Sequence, residues 1–186
     1  MRLWNSLFGV LVLSAIAVAA TPGGAQADNG DHGAKIEGTF TVSFMHVSAS
    51  DYCASEGTPG GIPVEAQGIG SVERLGPLFL TVKKCLTFPG GLGTYAGTFK
   101  MTDGSGDSLE GRYKGTQDFG LLDENGFGPF QGTLTITGGT GKFRHTRSGA
   151  LRFKAVASPT SVGVTAQTVN GMAFYLVEGV MSGRDR

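Results

Sequence analysis

Apolar and polar residues alternate along most of the chain after Lys35, and this period of two predicts β-strands. Successive side chains of a strand point to opposite faces, so each alternating segment has one buried and one solvated face. The apolar positions of the six clearest segments are Ile36, Phe40, Val42 and Phe44; Leu78, Leu80, Val82 and Leu86; Tyr95, Phe99 and Met101; Leu109 and Tyr113; Phe130, Leu134 and Ile136; and Leu151 and Phe153. Two less regular segments, 69–75 and 162–181, are β-branched and interrupted by glycine. The pattern predicts about eight strands and no long helix.

Turn sequences separate these segments. Residues 89–91, 103–107, 125–126 and 170–171 are rich in glycine, asparagine or aspartate, which tolerate the backbone angles of tight turns. No helical crossover separates the strands, so neighbouring strands are expected to pair antiparallel. The stretch from Ala49 to Gly68 contains Gly57, Pro59 and Gly60, and it is predicted to be a long loop.

The predicted fold class is all-β, an eight-stranded antiparallel up-and-down barrel. Closing the sheet removes the exposed edges that consecutive antiparallel strands would otherwise leave. A two-sheet β-sandwich is the alternative. Several glycines occur inside the predicted strands, where they suit tight coiling or close backbone approach: Gly38, Gly97, Gly111, Gly115 and Gly132.

Composition limits the classes of function. The chain has 186 residues, enough for one domain of ordinary size, and 40% of them are hydrophobic, which excludes wholesale disorder. The 15 basic residues balance the 15 acidic ones, and no basic run is present. The chain therefore lacks the electrostatic footprint of a nucleic-acid binder, and no nucleic acid is expected among its partners.

The N-terminal segment is predicted to be a secretory signal peptide spanning residues 1–27. Arg2 supplies a small positive region, a charge-free apolar run follows from Leu7 to Ala20, and small residues flank Gln26 at the cleavage site. The apolar run is too short for a membrane anchor, so no span is expected after cleavage. Residues 28–34 then form a polar leader, and residues 35–183 form a single barrel domain. The protein is expected to be exported to the periplasm or the extracellular medium.

Export favours a disulfide between Cys53 and Cys85, the only two cysteines. Neither cysteine has a general base beside it in sequence, which disfavours a nucleophilic thiol. His32, His46 and His145 lie far apart and show no metal-ligand spacing. The sequence predicts neither a metal site nor a cofactor.

One segment resembles a signature of the allene oxide cyclase and dirigent-type barrels. In those families a strand runs into a Gly-Gly-small-Gly turn, then an aromatic residue, then a glycine that opens the next strand. Gly138, Gly139, Gly141, Phe143 and Gly149 occupy these places, and weaker similarity extends over the last 90 residues or so.

The resemblance implies an eight-stranded barrel with a mainly apolar cavity, trimeric in the plant families. Chemistry there consists of steering: a reactive intermediate is held in one conformation and cyclises or couples with one stereochemistry. The catalytic residues do not carry over. The cyclases place a glutamate inside the barrel on an early strand, whereas the segment from Phe40 to His46 contains no acid. The sequence leaves open whether the protein is an enzyme.

The alternation of inward and outward positions along each strand identifies polar residues that could line a pocket. Each shares a face with apolar positions of its strand, and a few polar groups among aromatic ones are typical of a small-molecule site. The candidate ligand-binding residues are His46, Tyr95, Tyr113, Gln117 and Tyr175, the last of them expected near the open end of its strand. Lys84 shares the face of Val82 and Leu86, although parity at a strand end also allows it to point outward. His46 is the best acid–base candidate among them.

Two functions remain from these observations. The first is an exported barrel that binds a small hydrophobic molecule in its cavity and steers a cyclisation or coupling, or binds without chemistry. The second is a structural or surface-interaction protein with a filled barrel, in which only the outer face matters. A homo-oligomer is expected from the resemblance alone.

Overall fold

The inward positions of the alternating segments form the core of a closed barrel of eight antiparallel strands, which follow one another in sequence order until the last strand pairs back onto the first. The fold is that of a computed structural model, which describes residues 33–47, 51–124, 127–163 and 168–183. The predicted up-and-down barrel is confirmed, and the β-sandwich alternative is wrong. The predicted signal peptide lies outside the described residues.

The strands are long, and most connections between them are short. The strands are β1 Ala34–His46, β2 Ile62–Val72, β3 Gly76–Thr87, β4 Leu92–Thr102, β5 Ser108–Asp118, β6 Gly128–Gly139, β7 Thr146–Gly163 and β8 Thr168–Gly183. The helix α1 spans Tyr52–Ser55, and 3₁₀ turns occupy Pro89–Gly91, Phe119–Leu121 and Gly141–Phe143. We call the end of the barrel that carries the β2–β3, β4–β5 and β6–β7 connections the turn end.

Every apolar position used to predict the six clearest strands is buried in one continuous core. The glycines of these strands permit the coiling that closes the barrel. At Gly97, for instance, a Cβ atom would lie 2.0 Å from the carbonyl oxygen of Lys83 on the neighbouring strand. Only a residue without a side chain fits this approach.

The expected loop from Ala49 to Gly68 is shorter than predicted, because β2 already begins at Ile62. The inward residues of β2 in this stretch, Val64 and Ala66, are buried, and Gly68 lies against the backbone of β1. Pro63 suggested a loop, yet proline is tolerated at the start of a strand, where its missing N–H costs no ladder bond. Small inward side chains weakened the alternation that reveals the other strands.

The predicted disulfide is present and fixes the remaining part of that loop to the barrel. Cys53 of α1 is bonded to Cys85 of β3, with their Cα atoms 5.5 Å apart. The Tyr52 hydroxyl donates a hydrogen bond to the Lys83 carbonyl oxygen at 2.9 Å. Cys85 points away from the barrel interior, and the covering segment leaves it only 1% exposed. The wall of β3 is therefore covered on its outer face at this point.

The glycine-rich motif connects β6 to β7 and closes the turn end. Phe143 is buried in the core, and the backbone N–H of Lys142 donates to Asp107 in the β4–β5 turn at 3.0 Å. The Lys142 ammonium lies 2.7 Å from a carboxylate oxygen of Asp103 in the same turn. This ammonium, with the Ser105 hydroxyl and backbone N–H groups, holds the pKa of Asp103 well below its usual range. The motif thus ties two neighbouring connections together.

Removing the disulfide by replacing both cysteines with serine should lower the free energy of unfolding by about 3–4 kcal/mol, because the bond closes a loop of roughly 30 residues. Urea denaturation followed by circular dichroism measures this loss. Reduction of the wild-type protein should reproduce it and should leave the double variant unchanged. Equal unfolding midpoints for the two proteins would contradict the expectation.

Gly141→Ala should destabilise the fold by about 1–3 kcal/mol, because an alanine there adopts an unfavourable positive φ. Gly141 has φ 54°, and its added Cβ would also collide with the Asp107 carboxylate. Gly138→Ala is the matched control, since its Cβ would meet nothing closer than 3.8 Å. Thermal unfolding of the two variants checks the difference, and similar losses in both would refute this explanation.

Candidate functional site

Five aromatic rings from five strands pack together inside the barrel, and we call them the aromatic cluster. They belong to Tyr95, Tyr113, Phe130, Phe153 and Tyr175, all buried. Tyr113 stacks on Phe153 with ring centroids 5.3 Å apart, and Phe130 meets Tyr95 and Tyr175 edge to face at 5.0 and 5.8 Å. Strand parity brings these rings together, because each stands at an inward position of its strand. The cluster lines this level of the barrel with rigid side chains.

Two hydrogen bonds connect the polar atoms of this region. The Tyr113 and Tyr175 hydroxyl oxygens lie 3.2 Å apart, and the Tyr95 hydroxyl donates to Gln117 Oε1 at 3.1 Å. The other end of the same amide is unsatisfied: Gln117 Nε2 is buried and has no hydrogen-bond partner. A buried donor without an acceptor is costly, and native proteins contain few of them. Gln117 therefore presents an unused donor to the interior.

Lys84 places a cationic side chain among these rings. Its Nζ atom lies 4.3 Å from the centroid of the Tyr95 ring, 5.0 Å from Phe130, 5.2 Å from Tyr113 and 5.6 Å from Phe44. The residue is only 3% exposed. Gly97, which separates Lys84 from Tyr113 in the register of β3, β4 and β5, has no side chain to block this approach. The faces of aromatic rings attract a cation electrostatically.

No carboxylate compensates this charge in the described part of the chain, where the buried polar residues are Lys84, Ser108 and Gln117. Burial of the uncompensated ammonium lowers the pKa of Lys84 to about 7. Burial also raises the pKa of the Tyr95, Tyr113 and Tyr175 hydroxyls, so the phenols stay protonated at neutral pH. The site thus combines an amine that titrates near neutrality with three neutral hydroxyls.

Most of the residues predicted to line a pocket meet inside the barrel. Tyr95, Tyr113, Gln117 and Tyr175 are all buried and adjacent. His46 is half-buried at the last position of β1, where it pairs with Val64. The expectation that Tyr175 lies near the end of its strand is wrong: β8 extends past it in both directions, and it pairs with Phe40 and Ala155.

Sequence reasoning missed the rings that complete the site. Phe44, Phe130 and Phe153 share the inward parity of the named polar residues, and that signal was available from the alternation. The alternation alone allows the Lys84 side chain to point inward or outward. The structure places it inward, because β3 remains regular through Leu86. The unpaired amide of Gln117 could not be recognised from parity, because it depends on which hydroxyl the side chain meets.

The depressions described on this protein lie on the outer surface of the barrel. The largest of them has a volume of about 970 Å³ and is lined by outward residues of β1 and β5 to β8, with Lys114, Arg152 and Lys154 opposite Glu37 and Glu178. Its charges are of both signs. Among the described residues, no group of three or more His, Cys, Asp or Glu side chains is placed to hold a metal ion. No helix within those ranges is long and apolar enough to cross a membrane.

Comparison with solved structures gives a distant likeness. A solved structure described as the pterocarpan synthase dirigent protein GePTS1 matches 83% of this chain and 88% of its own, at 16% sequence identity and a TM-score of 0.40. No model of a protein family matches the sequence, and no curated protein does. The barrel described above rests on the strand pairing of this chain itself.

Replacing Lys84 by methionine should stabilise the protein most at low pH. The folded-state pKa of about 7 lies below the ordinary lysine value of 10.5, so the unfolded chain binds more protons between these values. Wild-type stability should therefore rise as the pH rises through this window. The advantage of Lys84→Met should shrink by about 2–3 kcal/mol between about pH 6 and about pH 9.

Chemical denaturation at the two pH values measures this difference. Lys83→Met is the control, because Lys83 precedes Lys84 on β3 but points outward and its side chain is 63% exposed. That variant should differ from the wild type by no more than about 0.5 kcal/mol at either pH. A pH-independent effect of Lys84→Met would show that the amine is not held in an apolar environment.

Proposed function

We propose that the barrel binds a small, largely apolar molecule in its interior, and that Lys84 and Gln117 recognise an anionic or carbonyl group on it. One observation supports this most directly: two buried donors that both lie next to Tyr95, the Lys84 ammonium and the Gln117 amide, face an apolar interior in which no described carboxylate compensates the charge. A ligand with an acceptor group would satisfy both.

The surroundings of the two donors suit such a molecule. Tyr95 connects them, since its ring lies under the Lys84 ammonium and its hydroxyl bonds to Gln117. The aromatic cluster offers ring faces and edges to an apolar body, which is the usual composition of a small-molecule site. Ala155, Ala157 and Ala173, at inward positions of β7 and β8, are the smallest buried side chains beside it. His46, on the inward side of β1, is a further candidate contact.

A role in steering a cyclisation or coupling stays a prediction of the family resemblance. Rigid walls around a bound molecule are what such steering needs, because orientation alone lowers a barrier substantially. Export also stays a prediction, and the Cys53–Cys85 disulfide supports it, since such bonds persist in oxidising compartments.

Binding of 2-naphthoate tests the proposal, with naphthalene-2-methanol as the uncharged probe of the same shape. We expect 2-naphthoate to bind at slightly acidic pH, where the Lys84 amine is protonated. Lys84→Met should weaken this binding about tenfold or more, because a charged hydrogen bond in a desolvated site is lost. Gln117→Leu should weaken it by a smaller factor. Isothermal titration calorimetry measures these affinities.

Lys83→Met is the matched control and should bind both naphthalene probes as the wild type does. Native mass spectrometry of the purified protein with its disulfide intact adds an independent readout, a retained apolar molecule. Equal affinity of the Lys84→Met and Lys83→Met proteins for 2-naphthoate would refute the proposed role of the interior. Binding of neither naphthalene probe, with no retained molecule, would favour a filled structural barrel.

A second candidate function, self-association, follows from the outer face. Large apolar side chains from four strands, β7, β8, β2 and β3, form an outer apolar strip that Thr41 of β1 interrupts. Its members are Val156, Met172, Phe174, Leu176, Ile69 and Phe79, all exposed. Phe174 pairs with Val156 on one side and Thr41 on the other, and Ile69 pairs with Thr41 and Phe79. Exposed apolar patches of this kind mark interaction sites. The adjoining groove carries both charge signs, which suits a second copy of the same chain.

If the strip joins copies of this chain, the double variant Phe174→Ser with Leu176→Ser should reduce the number of subunits measured by light scattering. Val180→Ser removes an exposed apolar side chain from the same strand outside the strip, and it should leave the assembly intact. A wild-type protein that is monomeric at all accessible concentrations would exclude this candidate.

A further inference from the structure

The amine of Lys84 is arranged differently from the other lysines of the described chain. Lys35, Lys83 and Lys142 form ion pairs with Glu37, Glu65 and Asp103 at the surface. Lys84 instead is buried, makes no ion pair among the described residues, and lies over four aromatic rings. An amine without a carboxylate to retain its proton exposes its lone pair more readily than a surface lysine does.

We propose that Lys84 is a nucleophile that condenses with the carbonyl group of an aromatic or otherwise apolar aldehyde bound in the barrel, forming an imine. This inference rests on the proposed function and specifies the ligand class as carbonyl compounds. Two geometric facts carry it. The Nζ atom lies within 5.6 Å of the centroids of four rings that would stack on an aromatic aldehyde, and Gln117 Nε2, whose side chain bonds to one of these rings through the Tyr95 hydroxyl, is a donor without a partner.

The chemistry balances with the aldehyde as the sole reactant. The neutral Lys84 nitrogen donates its lone pair to the carbonyl carbon, a C–N bond forms, and the former π electrons pass to the oxygen. That oxygen takes up a proton as the nitrogen loses one, giving a carbinolamine. The C–O bond then breaks, the oxygen leaves as water with a second proton from nitrogen, and the C=N bond remains. Nothing is oxidised or reduced.

Neighbouring groups support individual steps. The Gln117 amide can donate to the carbonyl oxygen while negative charge develops on it. The hydroxyls of Tyr95, Tyr113 and Tyr175 are protonated and adjacent to this region, so they can relay protons to the departing oxygen. The apolar walls limit the access of water, which would otherwise hydrolyse the imine.

The fraction of neutral amine favours Lys84 over its competitors. With its pKa lowered to about 7 by burial, about half of Lys84 is unprotonated near neutral pH, whereas an ordinary lysine has a neutral fraction well below one in a thousand. The Lys84 ammonium contacts the rings of Tyr95 and Tyr113, and the other titratable groups at inward positions of the strands around it are Tyr175 and His46. No described Asp or Glu is among them.

Reductive trapping tests the inference on the full protein with its disulfide intact. The protein is incubated with 2-naphthaldehyde and cyanoborohydride near neutral pH, and the modified lysines are located by peptide mapping. We expect one adduct at Lys84, formed at least about tenfold faster than at Lys83, as the neutral fractions require. Lys84→Met should abolish this adduct, and Lys83→Met should keep it.

Two readouts on the wild-type protein separate this inference from the proposed function. Binding of 2-naphthoate depends on the Lys84 ammonium, whereas the trapped adduct requires the neutral amine to form a bond, so each result can fail without the other. Lys84-dependent binding of 2-naphthoate without an adduct at Lys84 would overturn the imine and leave the binding proposal intact. Labelling spread evenly over the surface lysines would overturn it as well. Absence of both binding and trapping would remove the two proposals together.

Discussion

Closure of an eight-stranded sheet limits the interior to its own side chains and at most one small ligand, and the other features of this protein follow from that limit. The strands approach so closely that a Cβ at Gly97, Gly111 or Gly132 would lie about 2 Å from a neighbouring backbone oxygen. Glycine at these inward positions lets the sheet coil and makes room for the large rings beside it. Because Gly97 has no side chain, the Lys84 side chain extends over it, and the ammonium reaches the Tyr113 ring across the intervening strand.

In so restricted an interior, each polar atom needs a partner supplied by another strand. Tyr113 hydrogen-bonds to Tyr175, and Tyr95 hydrogen-bonds to Gln117, so four polar side chains from β4, β5 and β8 form two pairs. Lys84 and the Gln117 amide nitrogen are left over. No described acceptor compensates their desolvation, which costs stability, and the ligand proposed above would supply that acceptor.

The fold can be predicted from the sequence because its strongest signal, the alternation of apolar and polar residues within each strand, is local. Alternation at Phe40, Val42 and Phe44, and its equivalents in five further segments, identifies inward faces without knowledge of the partners. Only the first half of β2 is missed, because Val64, Ala66 and Gly68 are small and Pro63 suggests a loop. Only part of the candidate site can be predicted from the sequence, because the alternation shows which side a residue faces but not which residues it meets there. The alternation predicts that Tyr95, Tyr113 and Gln117 point into the same barrel interior. The aromatic rings around Lys84 and the unpaired amide of Gln117 cannot be predicted in this way, because they depend on barrel shear, which brings together residues from strands far apart in sequence.

The disulfide lies immediately beside the lysine, and this adjacency has a consequence for the chemistry of Lys84. Cys85 and Lys84 are consecutive on β3 and point to opposite sides of the barrel wall, and the segment held by Cys53 covers the outer side. The wall between Lys84 and the outer solvent is thus a single strand with a tethered helix behind it. Reduction of the disulfide would release that helix and leave the outer face of β3 open to water, while Lys84 stays on the inner face. If Lys84 reacts as proposed, the disulfide contributes to this reaction only by keeping the wall behind it closed.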